Sequence, residues 1–374
     1  MTKHLIIAFY CSSTSWGGLE MNTLRHAIWM KQRGHEVYLF CVENSVLHKE
    51  TIKAAIDVHL IKRNKKSIDV KNAIRLRKKL KRLHITHTWF RDKRDLSLLA
   101  LTKTLLGNKV KIIFQQAMQL GVDKKEWWHT VRFKKIDHWV APLHYLAKQV
   151  KEKTNFPEER IAVIPLAVDI EAFKKALPDR SSARKYFGID DRDIVVGMIG
   201  RIDPHKAQYF VKKGVEELQQ KYKNLKMLMV GSKTEGEWES YYQQLKKEVD
   251  EDPSFFLFPF MKEVGYFYAA VDIFVMASKN ETFGMVTIEA MLAGKQIAGT
   301  NSAGTKELIG EEERGYFFEW NDEVSLKEAI NRILQNPEES QMKAEAAQTF
   351  ARERFSHKKA GEQIESLIFQ SKLK

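Results

Sequence analysis

The sequence predicts an α/β protein of two doubly wound domains, each built on a parallel sheet. Three observations lead there. Short apolar runs alternate with helix-length stretches, and a helix returning the chain to a parallel neighbour is the connection that such alternation requires. The alternation runs through the first half of the chain and restarts after residue 190. Finally, 374 residues exceed what one hydrophobic core serves, and 44% hydrophobic residues can fill two.

In the first half, strands are read at "HLIIAFY", "EVYLFCV", "DVHLIK", "ITHTWF", "KIIFQQ", "HWVAP" and "IAVIPL". The first crossover is "GLEMNTLRHAIWMKQRG", with Gly34 as its stop. Residues 1–168 are expected to form this domain. Residues 169–190, rich in charge with Pro and Ser and poor in strand character, are expected as the linker. Residues 191–354 then repeat the pattern with "IVVGMIG", "LKMLMVG", "FFLFPF", "IFVMAS", "QIAGT" and "GYFFEW". The last segment reads as one or two helices, of which about 355–374 is expected to pack back on the first domain.

Several classes are excluded or disfavoured early. The apolar runs fall short of the roughly 20 residues that a bilayer span needs, and the start reads as a first strand in place of a signal peptide. Cys11 and Cys41 provide neither a disulfide framework nor a metal cluster, which suits a reducing compartment and predicts a cytoplasmic protein. No G-x-G-x-x-G follows the first strand, which disfavours an ordinary NAD-dependent dehydrogenase.

The net charge of +14 is unevenly spread: residues 1–180 hold 35 Lys and Arg against 17 Asp and Glu, whereas the remainder holds 27 against 31. Much of the excess lies in "IKRNKKSIDVKNAIRLRKKLKR" (61–82) and "RDKR" (91–94). Two readings stand, a solvated helix face and a footprint for an anionic membrane surface or an acidic acceptor, where each cation contributes about 1 kcal/mol. Nucleic acid is not expected, because no aromatic interleaving, helix-turn-helix or zinc-finger spacing accompanies the charge.

The stretch with most chemical content is "KNETFGMVTIEAMLAG" (279–294). A strand ends just before it, Glu281 falls in the loop, and Glu289 falls in the helix that Gly294 closes. Ligands of open α/β sheets bind outside the carboxyl ends of the strands, and free N–H groups at a helix start favour anions or hydroxyl oxygens. Two carboxylates so placed could contact separate parts of one extended polar ligand, each accepting hydrogen bonds from a vicinal diol. On their spacing alone, two solvated glutamates are the simpler account.

What changes the balance is the set of motifs around them. "SKNETFGMVTIEAMLAGKQIAGTNSAGTKELI" resembles the carboxyl-terminal signature of retaining glycosyltransferases of family 4. "WGGLE", "IPLAVDIEAF" and "GRIDPHKA" match in the expected order, so that the resemblance covers nearly the whole chain. It implies the GT-B fold, two facing Rossmann-like domains with a cleft between them. It further implies that Glu281 contacts the donor sugar and Glu289 the ribose of the donor nucleotide, with the backbone of Phe283, Gly284 and Met285 near the sugar and diphosphate. Arg201 and Lys206 match the basic pair that holds the diphosphate, where two cations stabilise the charge that develops on departure. Gly17 and Gly18 either leave room for the donor phosphates or form a plain tight turn. Phe260 and Met261, in "FPFMKEV", fall where the nucleotide base meets backbone in the family.

On the acceptor side the chain departs from the pattern. Many relatives carry a histidine in the loop after a middle strand of the first domain, whereas this chain has Gln115, Gln116, Ala117 and Met118 there. Ala117 is the site to suspect. His87, taken to end the preceding strand, is either a substitute facing the cleft or a structural histidine. Trp127, in "WWHTVRFKK", either lines an acceptor groove, touches lipid headgroups, or packs.

The expected activity is metal-independent sugar transfer with retention, from a nucleotide-diphosphate sugar, UDP- or GDP-linked, to a hydroxyl of a glycan or lipid-linked acceptor. The setting would be polysaccharide, lipopolysaccharide or other cell-envelope synthesis at the inner face of the cytoplasmic membrane. No cofactor is expected beyond the donor; "DDRD" (190–193) precedes a strand and is read as solvated. Alternatives of the same fold are a sugar phosphorylase or nucleotide-sugar epimerase, and a catalytically impaired nucleotide-sugar-binding protein.

Overall fold

The computed structural model describes residues 4–64, 69–107, 109–234 and 236–370. Residues 65–68 of the basic run therefore lie outside the described residues. The chain divides into two units, Met1–Leu166 with His357–Lys374, and Ala167–Ser356.

The first unit holds the strands β1 (Ile6–Cys11), β2 (Glu36–Val42), β3 (Asp57–Ile61), β4 (His87–Phe90), β5 (Lys111–Gln115), β6 (His138–Ala141) and β7 (Ile161–Val163). They form one sheet in the order β3-β2-β1-β4-β5-β6-β7, with every pair parallel. Its helices are α1 (Gly18–Gln32), α2 (Val46–Lys53), α3 (Val70–Arg82), α4 (Leu96–Leu105), α5 (Trp127–Phe133) and α6 (His144–Lys153). The near-continuous apolar strands follow from burial on both faces. Among the described residues of the basic run, α3 buries Ala73, Leu76 and Leu80 and exposes Lys71, Arg75, Arg77 and Lys78.

The second unit begins with α7 (Ile170–Lys175) and α8 (Arg180–Phe187), so that the stretch expected as a linker carries two capped helices. Arg184 explains their attachment. Its guanidinium is fully buried and donates to the carbonyls of Ala270, Asp190, Asp191 and Asp193 and, at 2.6 Å, to Asp272. There follow β8 (Ile194–Ile199), β9 (Leu225–Val230), β10 (Phe255–Phe258), β11 (Ile273–Met276), β12 (Gln296–Thr300) and β13 (Tyr316–Phe318). They form a second all-parallel sheet, β10-β9-β8-β11-β12-β13. Around it lie α9 (Gln208–Leu218), α10 (Glu239–Asp250), α11 (Gly265–Ala270), α12 (Met285–Leu292), α13 (Ala303–Ile309), α14 (Glu323–Gln335) and α15 (Pro337–Arg354).

The terminal helix α16 (His357–Gln370) belongs to the first unit. Ile364 and Ile368 enter the same apolar cluster as Leu5, Ile7 and Val37. Glu365 pairs with Arg33 at 2.6 Å and His35 at 2.8 Å. All thirteen strand readings correspond to strands of the two sheets.

Each sheet reverses its winding once, between β1 and β4 in the first and between β8 and β11 in the second. At such a switch point the loops leave on opposite sides and open a crevice at the carboxyl ends of the strands. The motifs "WGGLE", "GRIDPHKA" and "KNETFG", and the basic run "RDKR", lie just after these four strands.

Candidate functional site

In the second unit, the loops after β8 and β11 are built around Lys206 and Glu281. Buried Asp203 accepts hydrogen bonds from the amides of His205 and Lys206 through Oδ1, at 2.9 and 3.2 Å, which curls the first loop. Lys206 Nζ then reaches Glu281 Oε2 at 2.7 Å and Ser278 Oγ at 3.0 Å. Burial acts to raise the Glu281 pKa. The Lys206 charge and hydrogen bond, with the N–H groups of Phe283 and Thr282, outweigh it and hold the carboxyl below its ordinary range.

Gly284 adopts φ +83° as the residue before α12 and turns the loop into the helix, a conformation that favours glycine. Phe283 is buried against Phe355, and Met285 begins the helix half-exposed. Glu289, one turn along α12, lies 2.9 Å from the Tyr268 hydroxyl, which is also 3.0 Å from the Val286 carbonyl. Burial first, and the adjacent Glu289 charge second, hold the Tyr268 phenol well above its ordinary range; it remains protonated and able to donate. Both carboxylates thus occupy the predicted loop and helix, each oriented by a partner that sequence spacing does not reveal.

Arg201 stands apart from Lys206 although they share a loop. It is 65% exposed along its side chain, 3.3 Å from Thr234 Oγ1 and 3.8 Å from Asp203, and it lines an open hollow of about 470 Å³ with His205, Glu237 and Trp238. Phe260 is exposed, and its N–H is taken by Ser232 Oγ at 3.0 Å; Met261 beside it is half-buried. Among the described residues, no three His, Cys, Asp or Glu side chains gather as a metal ion requires.

In the first unit, Gly17 and Gly18 lead into α1, and the Gly17 N–H donates to Glu20 Oε2 at 3.0 Å. A Cβ on Gly18 would meet nothing within 4 Å, and one on Gly17 only Glu20 at 3.8 Å. Neither glycine has a positive φ, so the fold itself does not demand either of them. The loops after β1 and β4 are joined by buried Asp95, which accepts from Ser12 Oγ, from Ser12 N at 3.2 Å and from Asn64 Nδ2 at 2.7 Å. Burial dominates its titration and pushes the carboxyl up to about 7.

His87 requires a correction. It opens β4 instead of closing it, paired with Ile7 and Lys111, and so lies at the amino end of the sheet, opposite the edge where loops form sites. It is buried, with Nδ1 2.8 Å from Thr86 Oγ1, and burial pulls its pKa down to about 4. The physical reason is register: β4 pairs only from residue 87 onward, which places Phe90 at the carboxyl end.

Gln115 closes β5 and Gln116 follows it, and buried tryptophans engage both. Trp89 donates to Gln115 Oε1 and Trp139 to Gln116 Oε1, both at 3.1 Å. Ala117 is half-buried on the wall of a cavity of about 770 Å³ that also includes Met118, His129 and Arg132. Trp127 is 74% exposed and packs against Trp128, without lining that cavity. A residue that motif reading missed is Arg91, buried at the carboxyl end of β4 on the same cavity wall. Its setting in "RDKRD" gave it the look of a solvated charge.

Residues 16–172 match Glycosyltransferase Family 4, and residues 179–350 match Glycosyl transferases group 1. The chain belongs to the family 4, group 1 glycosyltransferases. A glycosyltransferase from Rickettsia africae has the same fold, with a TM-score of 0.87, 19% identity and coverage of 99% of this chain and 100% of that one. Anabaena HepE in complex with UDP is similarly alike, with a TM-score of 0.82, 18% identity and coverage of 98% and 100%. The fold is thus GT-B. Among curated relatives, D-inositol 3-phosphate glycosyltransferase of Stackebrandtia nassauensis is 26% identical over 53% of this chain and 46% of its own length. The chain spans about half the length, or less, of the curated relatives it matches first. Among the described residues, no helix is long and apolar enough to cross a membrane.

Proposed function

We propose that the protein transfers a sugar, with retention, from a nucleotide-diphosphate donor to a hydroxyl of a glycan or lipid-linked acceptor in envelope or polysaccharide synthesis. The observation that carries this reading is the Lys206–Glu281 pair at the switch point of the second sheet, with Glu289 one turn into the adjoining helix. In this reading Glu289 accepts from the ribose hydroxyls and Glu281 from the sugar. Lys206 and the exposed Arg201 stabilise the diphosphate as it departs, and Phe283, Gly284 and Met285 present backbone at the amino end of α12. Gly17 and Gly18 leave space for phosphate oxygens. Phe260 and Met261 offer backbone to the base through groups other than the Phe260 N–H.

The step is a same-face substitution. The bond from the anomeric carbon to the diphosphate oxygen breaks, the acceptor oxygen bonds to that carbon on the same face, and the acceptor proton passes to the departing phosphate. No enzymic carboxylate pair of the glycosidase kind is invoked. Calorimetry against UDP-, GDP- and ADP-glucose tests the donor site, with and without EDTA. One donor is expected to bind, and Glu289→Ala to weaken it about tenfold or more. Binding of none by folded protein would overturn the reading. NMR of the product's anomeric signal tests retention.

A second reading, a nucleotide-sugar-binding protein of low activity, is favoured by Ala117 on the cavity wall, in the loop where the family resemblance implies a histidine. Turnover gained only in Ala117→His would support it. Peripheral attachment to an anionic membrane inner face, through α3 and its neighbouring cations, is part of the proposal. Vesicle binding that does not weaken from low to high salt would refute that part.

A further inference from the structure

The first unit's cavity has a charge pattern that the transfer reaction does not require. Its wall carries Arg91, Lys93, Arg94, Lys124 and Arg132 against one carboxylate, Asp92. That carboxylate is already engaged, because Asp92 accepts from Arg94 Nε at 2.8 Å and from the Arg94 amide at 2.9 Å. Arg132 is likewise held, by Ser97 Oγ at 3.1 Å, His129 Nδ1 at 2.7 Å and the Trp128 carbonyl at 3.1 Å.

Arg91 is different. It is 3% exposed, and its Nε and Nη1 are buried without a hydrogen-bond partner among the described residues. Burial lowers its pKa to about 10, which leaves it charged at neutral pH. The neighbouring buried Glu20, whose Oε2 accepts from the Gly17 N–H, lends Arg91 its charge but no hydrogen bond. A buried guanidinium whose donors lack acceptors is unfavourable by itself, and a chain that keeps one gains nothing in stability from those donors. Nη2 forms a planar fork with either Nε or Nη1, each edge matches the two oxygens of a phosphate or carboxylate, and such a hydrogen bond is stronger for being charge-assisted and desolvated.

We propose that Arg91 anchors an oxyanion, a phosphate or carboxylate group, carried by the ligand of the first unit's cavity. On the transferase reading that ligand is the acceptor, so the acceptor class narrows to phosphorylated or acidic glycosyl compounds. The anion site itself does not depend on that reading.

The test compares binding of glucose, glucose 6-phosphate and glucuronate to the whole protein by calorimetry, each with and without saturating UDP. Wild-type protein, Arg91→Met and Arg91→Lys are measured alongside their thermal unfolding. The expected result is that at least one anionic sugar binds tenfold or more tightly than glucose, as a charge-assisted hydrogen bond implies. Preference for glucose 6-phosphate over glucuronate assigns the group as phosphate, and the reverse assigns carboxylate. Arg91→Met should erase the preference in protein that still unfolds cooperatively; Arg91→Lys should retain part of it. Equal binding of glucose and both anions would overturn the proposal, as would a preference that survives Arg91→Met, or in its absence one unchanged in Arg91→Lys. Displacement of the anionic sugar by UDP would also overturn it, because the anion would then occupy the donor site. UDP binding without anion preference refutes this inference and leaves the donor site standing. Anion preference without binding of UDP or any nucleotide sugar does the opposite.

Discussion

Removing the Lys206 cation should expose how strongly the loops after β8 and β11 depend on each other. Lys206 Nζ lies 2.7 Å from Glu281 Oε2, and the two side chains are 29% and 16% exposed. Breaking a fully buried pair costs about 3–5 kcal/mol, whereas an exposed pair is worth about 0.2–1 kcal/mol. These exposures lie nearer the buried case, and a coupling of about 2 kcal/mol is expected. A double-mutant cycle of Lys206→Met, Glu281→Gln and the double variant, measured by urea unfolding of the second unit's transition, isolates it. Glu281 is held below its ordinary pKa. Its contribution is therefore present above the unfolded carboxyl value near 4.3 and lost as pH falls through the lower folded value. The coupling should fade over that acid range. A coupling at neutral pH under about 0.5 kcal/mol, the level of an exposed pair, would refute the argument that this contact organises the site.

Further outcomes follow from the same geometry. Gly18→Ala meets open space and should leave thermal stability unchanged while weakening donor binding; a fall in melting temperature would assign the glycine to the fold. Asp95 has its pKa raised to about 7, so the folded chain keeps a proton that the unfolded chain releases. Stability should decline from about pH 4 to 7, by up to roughly 4 kcal/mol, and Asp95→Asn should flatten that slope in unfolding measured across pH. Arg184→Met strips one carboxylate and four carbonyls of a buried partner and should cost about 3 kcal/mol or more in chemical denaturation. Gly231→Ala places a Cβ 1.7 Å from the Gly200 carbonyl oxygen and should abolish folded expression, whereas Gly188→Ala, with open space around it, should not.

Much of the architecture was open to reading because it is written locally. A strand buried on both faces needs an unbroken apolar run, as "IVVGMIG" and "IFVMAS" illustrate, and the less buried edge strands such as "DVHLIK" were found from shorter or alternating runs. The loop-then-helix placement of Glu281 and Glu289 is legible for the same reason: a strand end, a glycine turn and a helix stop lie within twenty residues. His87 shows where local reading fails. Its strand was found, yet which residue opens the ladder depends on pairing with β1 and β5, and that register put the histidine at the opposite edge.

The sequence by itself determined two parallel sheets, the motif loops after the first strand of each sheet and before the Glu289 helix, and the carboxylates of "KNETFGMVTIEAMLAG". Only the tertiary structure decided what those residues touch. Lys206 meets Glu281 across 75 positions, Tyr268 meets Glu289 across 21, and Arg184 meets Asp272 across 88. Arg91, one of several cations in "RDKRD", became the buried one whose Nε and Nη1 find no hydrogen-bond partner among the described residues. Element type follows from neighbours along the chain, whereas the partner and solvation of a charge follow from whatever the fold brings around it.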